Sequence, residues 1–223
     1  MTKHLEEKIK SAINVATKLN EFDDSFRDDK NDLIFGADEA GRGPLCGPVF
    51  CAGVIMKPDF HNGLINDSKK LTEAERDYLF NLIIENAIDY KIIKISADEI
   101  DEINILESSR KGMQIAFNEL SSKHQIKAAI TDYMKINTGD VELISIPKGD
   151  ATSFSVACAS ILAKVSRDRY MIELDKKYPQ YDFKNNKGYG TKKHLEAIEE
   201  YGIIEGEHRK TFTPVKKFNI FEI

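Results

Sequence analysis

The sequence of 223 residues predicts an α/β fold built on a mixed β-sheet. Short apolar segments, bounded by glycine, proline or polar residues, alternate with longer segments of helical periodicity. Three predicted strands are joined closely and two more are separated by helices, which favours a mixed sheet over a uniformly doubly wound one. A composition of 41% hydrophobic and 31% charged residues excludes a disordered or fibrous chain. No apolar run approaches the ~20 residues of a membrane span.

Five short apolar segments are predicted to be the strands of this sheet. They are Leu33–Ala37, Val49–Met56, Tyr90–Ser96, Lys127–Thr131 and Val141–Ile146. The second is apolar almost throughout, which indicates a central position covered on both faces.

The helices are predicted from apolar residues at helical spacing. They are residues 3–20, 72–87, 98–120, 151–177 and 192–201. The second of them starts with a capping-box pattern, Thr72 followed three residues later by Glu75. The acidic segment Glu21–Asp32, between the first helix and the first strand, is predicted to be a solvated connector.

The net charge of -5 and the isoelectric point near 5.6 count against a partner that is bound by bulk charge. The charges are segregated, however. Residues 1–150 carry 19 basic and 27 acidic side chains, whereas residues 164–193 carry nine basic and four acidic ones. The acidic balance therefore does not exclude a nucleic-acid partner that meets the basic segment, and for such a partner we expect weak non-specific binding with marked salt sensitivity.

The cysteines and the N-terminal segment bear on the cellular compartment. Cys46, Cys51 and Cys158 contain no C-x-x-C pair, so neither a disulfide framework nor a zinc knuckle is indicated. The first residues lack the apolar core of a signal peptide. We therefore expect a cytoplasmic protein without a membrane partner. Separately, we expect the protein to be a monomer.

Four carboxylates stand at predicted strand ends or at the start of a helix. Asp38 and Glu39 follow the first strand, Asp132 follows the fourth, and Asp150 precedes the long helix. Taken alone, the first two are equally well solvated turn residues, and Asp150 is a good helix N-cap. Together they form an oxygen-rich set without histidine or cysteine, which favours Mg²⁺ or Mn²⁺. Two such ions about 4 Å apart can support an in-line phosphoryl displacement.

A glycine-rich turn and a tyrosine are candidates for contact with a nucleic acid. The Gly41-Arg42-Gly43-Pro44 turn matches no nucleotide-binding loop, so it is either a grip on a sugar-phosphate backbone or a structural turn. Tyr189, between two glycines and among lysines, suits stacking on a sugar or base, although a lone tyrosine more often belongs to the core. His194 and His208 show no partner spacing, and each is a surface or hydrogen-bonded histidine by default.

Basic residues near the carboxylates are candidates for phosphate contacts. Those predicted to lie near the acids are Lys69, Lys70 and Lys148. Those on the long helix are Lys164, Arg167 and Arg169, which form either a phosphate track or an ordinary solvated face.

In sequence and order, these motifs resemble those of bacterial ribonuclease HII over about residues 32–215. The matching segments are Asp38–Leu45, Asp67–Leu71, Thr131–Asp132, Lys148–Asp150, Ser160–Asp168, Gly188–Thr191 and His208–Val215. The resemblance implies an RNase H-like fold, a five-stranded mixed sheet flanked by helices with a helical C-terminal portion. We expect a helical extension at residues 1–30 and a catalytic domain at residues 31–223, whose C-terminal helical segment starts near residue 178.

The resemblance also implies an endoribonuclease that cleaves RNA in RNA–DNA hybrids and 5′ of single ribonucleotides in duplex DNA. The products would carry a 5′-phosphate on the ribonucleotide and a 3′-hydroxyl on the DNA upstream. Two Mg²⁺ or Mn²⁺ ions would be bound by the four carboxylates, Asp38, Glu39, Asp132 and Asp150.

The substrate contacts follow from the same resemblance. Gly41, Arg42 and Gly43 would sense the 2′-hydroxyl group that distinguishes RNA from DNA. Tyr189 would stack on the deoxyribose of the following nucleotide. Phosphate would be contacted by Lys69 and Lys164.

Three other classes of protein share some of these features. Ribonuclease HIII usually lacks this Gly-Arg-Gly form and has glutamate at the fourth acid, so Arg42 and Asp150 favour ribonuclease HII. A non-catalytic hybrid-binding module would be expected to have lost a carboxylate, and a small-molecule phosphotransferase would need a nucleotide loop. The tail, residues 218–221, weakly resembles a sliding-clamp peptide, although packing against the body is the favoured interpretation.

Overall fold

The computed structural model describes residues 17–65 and 72–218. It contains a five-stranded sheet in the order β3-β2-β1-β4-β5. The strands are β1 (Leu33–Ala40), β2 (Val49–Met56), β3 (Ala87–Ile95), β4 (Ile126–Asp132) and β5 (Glu142–Ile146). The pairs β1–β2 and β2–β3 are antiparallel, whereas β1–β4 and β4–β5 are parallel. The predicted mixed sheet is confirmed, and all five predicted strands overlap observed ones.

Helices cover both faces of the sheet. They are α1, described over residues 17–24, then α2 (Glu73–Asn86), α3 (Ala97–Ile103), α4 (Ile105–Ser121), α5 (Phe154–Lys177), α6 (Phe183–Asn186), α7 (Lys192–Tyr201) and α8 (Val215–Phe218). Alternate residues of β2 face opposite layers: Ala52 and Val54 pack with α2 and α5, whereas Cys51 and Ile55 pack with α4. This double burial explains why β2 is apolar throughout.

Two predicted helices differ from the observed ones. The segment predicted as one helix over residues 98–120 is two helices, α3 and α4, separated at Asn104, whose φ is +67°. The side chain of Asn104 accepts hydrogen bonds from the N–H groups of Leu106 and Glu107 and so caps α4. The long helix begins at Phe154 rather than Ala151, after a 3-10 turn at Gly149–Ala151. The predicted capping box at Thr72 and Glu75 is confirmed.

The prediction of a solvated connector at Glu21–Asp32 is wrong in its first part. Residues 21–24 continue α1, and Asp23 is only 3% exposed. Its Oδ2 accepts hydrogen bonds from the backbone N–H and the hydroxyl of Ser155, at 2.8 and 2.7 Å. Burial raises the pKa of Asp23, and the serine hydrogen bonds lower it. The carboxylate therefore joins α1 to the first turn of α5.

The C-terminal portion is helical, as predicted, and has its own apolar cluster. Tyr181 and Phe183 stack at 5.3 Å between ring centroids and pack with Ile198 and Leu45. Phe218 packs at the edge of this cluster, and residues 219–223 lie outside the described residues. In the part of the chain that the structure describes, no helix is both long and apolar enough to cross a membrane.

Candidate functional site

The carboxyl ends of β1 and β4 bring three predicted acids together. The strands are parallel and Ala37 pairs with Thr131, so the residues that follow, Asp38 and Asp132, lie at the same edge of the sheet. Asp38, Glu39 and Asp132 all line one pocket of about 410 Å³. Carboxyl ends of parallel strands are where open α/β sheets place their ligand sites.

Asp38 is held in an unfavourable environment for a charged group. It is 5% exposed, and its Oδ1 accepts the backbone N–H of Glu39 at 2.7 Å. Burial raises the pKa of Asp38 well above its usual range, the negative charges of Glu39 and Asp132 raise it further, and a hydrogen bond with Ser160 lowers it. Clustered carboxylates of this kind are favoured when a cation neutralises them.

Asp150 lies next to this cluster but does not line the pocket. It is 2% exposed in the 3-10 turn, and the N–H of its neighbour Gly149 donates to Asp132 Oδ1 at 3.0 Å. The alternative that Asp150 caps the long helix is wrong, because Ser153 accepts the Val156 N–H and is the cap of α5. Within residues 17–65 and 72–218, no three His, Cys, Asp or Glu side chains form a metal-ready group as they stand.

The Gly41–Gly43 loop is the first part of the segment, residues 41–48, that joins β1 to β2, and it forms a wall of the pocket. Gly41 has a φ of +103°, and a Cβ there would lie 2.1 Å from Arg167 Nε, so only glycine fits. Arg42 Nη1 donates to Glu39 Oε1 at 3.3 Å. A Cβ on Gly43 would lie 3.3 Å from Tyr189 Cε1, which places the loop against the tyrosine ring.

Tyr189 is on the surface of the pocket rather than in the core. Its side chain is 51% exposed, so the alternative that it is a core residue is wrong. Its backbone is fixed from behind, because its carbonyl accepts hydrogen bonds from the Thr191 N–H at 2.8 Å and from His194 Nδ1 at 2.9 Å. The ring therefore stands at the pocket on a well-anchored turn.

His194 and His208 are fully buried and bonded to each other. Their Nε2 atoms are 3.0 Å apart, and the Ile204 N–H donates to His208 Nδ1 at 2.8 Å. Since His194 Nδ1 donates to Tyr189, one set of tautomers satisfies all three bonds: neutral His208 donates through Nε2 to neutral His194. An added proton on either ring would break one bond of the chain.

This pair predicts a loss of stability at acidic pH. Burial and the neighbouring His194 lower the pKa of His208 to about 3, and burial lowers that of His194. His208 takes up a proton below pH ~6.5 in the unfolded chain but only near pH 3 in the folded chain. The stability that depends on neutral His208 is therefore full above pH ~6.5 and falls below it. We expect His208 alone to contribute a loss of about 2 kcal/mol between pH 6.5 and 5.0. Urea unfolding across this range should show a shallower loss for His208→Gln than for the exposed control His61→Gln, and equal losses would contradict this role.

The basic residues of α5 do not form a continuous solvated track. Lys164 lines the pocket, with its Nζ 2.5 Å from Asp168 Oδ1. Arg167 is 2% exposed and donates to the carbonyls of Cys46 and Pro48. Arg169 is exposed and pairs with Asp77 instead. Lys69 and Lys70 lie outside the described residues.

One pocket residue, Ser160, has no role in the sequence-based predictions, and a second, Arg167, was predicted only as a phosphate contact. Ser160 lines the pocket beside Asp38, and Arg167 lies under the glycine loop. With Lys164, they recur at intervals of four and three residues, which places them on one face of α5. That spacing is visible in the sequence and is the signal that could have found them.

Comparisons with known proteins identify the family and the fold. A sequence model of the family described as ribonuclease HII matches residues 35–215. The ribonuclease HII of Mycoplasma capricolum is 47% identical over 199 residues, covering 89% of this chain and 95% of that protein. The crystal structure of ribonuclease H2 from Pyrococcus horikoshii superposes with a TM-score of 0.72 at 26% identity, covering 84% of this chain and 97% of the other. The Mn²⁺ complex of Bst ribonuclease HIII shares the fold at 16% identity, with a TM-score of 0.64 and coverage of 85% and 70%. The chain therefore belongs to the ribonuclease HII family of metal-dependent endoribonucleases, which act on RNA–DNA hybrids.

Proposed function

We propose that the protein nicks duplex DNA on the 5′ side of a single embedded ribonucleotide and cuts the RNA strand of longer hybrids. Hydrolysis leaves a 5′-phosphate on the ribonucleotide and a 3′-hydroxyl on the upstream strand. One observation carries the proposal: the carboxylates, the glycine loop and an exposed tyrosine line the same pocket. A reacting phosphate, its 2′-hydroxyl and the next sugar need those three kinds of group in one place.

The carboxylate cluster fits Mg²⁺ or Mn²⁺. Its donors are all oxygens, and the mutual repulsion that raises the pKa of Asp38 is relieved when a cation is present. We assign Asp38, Glu39 and Asp132 to the metal site, with Asp150 completing it from the adjacent turn. Two bound ions would activate a water and stabilise the leaving oxygen of an in-line displacement.

The remaining residues bind and orient the substrate. The Gly41–Gly43 loop approaches the ribose closely because it has no side chain at either glycine. Tyr189 stacks on the sugar of the following nucleotide, and Lys164 lies near the phosphate. Exposed lysines of the 164–193 segment, such as Lys184, Lys192 and Lys193, would meet the flanking duplex, which allows an acidic protein to bind nucleic acid.

Tyr189 provides a prediction that separates a substrate contact from a core residue. Tyr189→Ala should lower kcat/KM for a single-ribonucleotide duplex by about 10- to 100-fold, the range for loss of one stacking contact. Tyr189→Phe keeps the ring and should stay within a few-fold of wild type. Because the side chain is half exposed, melting temperatures of both variants should match wild type. A loss of stability in parallel with the loss of activity would indicate that Tyr189 supports the fold rather than contacting the substrate.

The proposal is tested with three duplexes of one sequence: one with a single ribonucleotide, one RNA–DNA hybrid, and one entirely of DNA. With Mg²⁺ or Mn²⁺ the first two should be cut and the third should remain intact. A chelator should stop cleavage, and added Mg²⁺ should restore it. Binding of the first two duplexes without any cleavage would instead support the non-catalytic hybrid-binding module.

A further inference from the structure

A buried arginine from the C-terminal portion holds the backbone of the glycine loop. Arg209 Nη2 donates to the carbonyl of Gly41 at 2.6 Å, and Nη1 donates to that of Arg42 at 2.9 Å. Nε and Nη2 both donate to the carbonyl of Gly47, at 3.0 and 2.8 Å. The side chain is fully buried. One planar guanidinium thus fixes two consecutive carbonyls of the loop and a third, that of Gly47, two residues before β2.

This contact determines where the loop directs its N–H groups. The peptides here are trans, so the N–H of each peptide points opposite to its C=O. Because the carbonyls of Gly41 and Arg42 face Arg209, the N–H groups of Arg42 and Gly43 face away from it. Within the described part of the chain, neither N–H has a hydrogen-bond acceptor. Two donors are therefore left for a ligand in a loop that lines the carboxylate pocket.

The loop also rests on two buried positive charges. The hydrogen bonds of Arg209 and the neighbouring Arg167 described here all go to backbone carbonyls, and the carboxylates of Asp101 and Asp168 act on them only through charge. Burial and the charge of Arg167 lower the pKa of Arg209 to about 9, which leaves it charged at neutral pH. The resulting positive potential favours an anionic phosphate at the loop.

We propose that Arg209 is a positioning residue for ribonucleotide recognition. It does not touch the substrate: by holding the carbonyls of Gly41 and Arg42, it aims the N–H groups of Arg42 and Gly43 at the 2′-hydroxyl and the adjacent phosphate. The inference rests on the proposed function of the loop. A lysine would keep the charge but lacks the planar fork that reaches three carbonyls at once.

The test compares two variants with a matched control. Arg209→Lys keeps the charge and Arg209→Met keeps much of the volume. Tyr181→Phe removes one hydrogen bond, from the tyrosine hydroxyl to the Gly202 carbonyl, in the same C-terminal cluster without contacting the loop. On a single-ribonucleotide duplex, both Arg209 variants should lose about 30-fold or more in kcat with KM within about threefold, because misaligned donors act in the transition state. Tyr181→Phe should stay within about twofold.

Hydrogen exchange provides a readout that does not depend on activity. The N–H groups of Leu45 and Gly47 are bonded to the carbonyls of Gly188 and Glu207, so they should exchange slowly in the wild type. Both Arg209 variants should speed their exchange about tenfold or more, and Tyr181→Phe should not. Unchanged exchange, or wild-type kcat in Arg209→Lys, overturns the inference, as does failure of both variants to fold. If wild type cuts no ribonucleotide duplex, the proposed function fails, and exchange still decides whether Arg209 holds the loop.

Discussion

Replacing Asp132 by asparagine should lower the rate of ribonucleotide cleavage by at least about 10³-fold, equivalent to about 4 kcal/mol in the activation barrier. Asparagine keeps the shape of the side chain and removes the negative charge that a divalent cation needs. Its Oδ1 can still accept the Gly149 N–H, a bond of 3.0 Å in the structure. Single-turnover rates at saturating Mg²⁺ measure the effect without a contribution from product release.

The control for this variant is Asp140→Asn, which removes one negative charge from an exposed position. Its rate should stay within about twofold of wild type, because exposed charges contribute little at a distance. Both variants should melt within about 2 °C of wild type. Substantial cleavage by Asp132→Asn, or an equal loss of cleavage rate in both variants, would show that Asp132 is not a metal ligand.

The substitution Gly36→Ala should lower the free energy of unfolding by about 3 kcal/mol, the upper range for overpacking a core. Gly36 lies in β1 directly beneath α5, where a Cβ would be 2.3 Å from the backbone carbon of Ser155 and 2.5 Å from its carbonyl oxygen. Backbone cannot move aside as a side chain can. The helix would have to shift from the strand, which would strain the hydrogen bonds from Ser155 to Asp23.

Thermal and urea unfolding measure this effect, and about 2–4 °C per kcal/mol is expected for a chain of this size. Gly139→Ala is the matched control, because no atom lies within 4 Å of its Cβ position although its φ is +60°. Gly139→Ala should lower the free energy of unfolding by about 1 kcal/mol, from backbone strain alone. Equal effects at the two glycines would mean that close approach of α5 to β1 is unimportant.

The parts of the site that depend on local patterns were predictable from the sequence. Apolar strands ending in acidic residues indicated where Asp38 and Asp132 lie, and the fold then brought them to one edge. At Asp150 the sequence left two roles open, metal ligand and helix cap, because Asp150 and Ser153 are both good caps, and the structure uses Ser153. The break between α3 and α4 at Asn104 is not marked in the sequence by a proline or a glycine.

Contacts between distant residues could not be predicted in this way. Asp23 looks like one of many acids in a solvated segment, and its partner Ser155 lies 132 positions further on. His194 and His208 have no characteristic spacing, yet their rings meet in the C-terminal cluster. Arg209 is 168 positions from Gly41, and its role emerges only from the carbonyls around it. Each of these polar groups is buried, where a missing partner costs about 1–3 kcal/mol.

The most direct measurement maps the cut in a DNA duplex that contains one ribonucleotide, labelled at the 5′ end of that strand and incubated with Mg²⁺. The upstream product should end in a 3′-hydroxyl at the deoxynucleotide that precedes the ribonucleotide, so that a polymerase can extend it without further treatment. Asp132→Asn should give no such product. A cut on the 3′ side of the ribonucleotide, cleavage of the matched all-DNA duplex, or an intact strand under these conditions would contradict the proposed function.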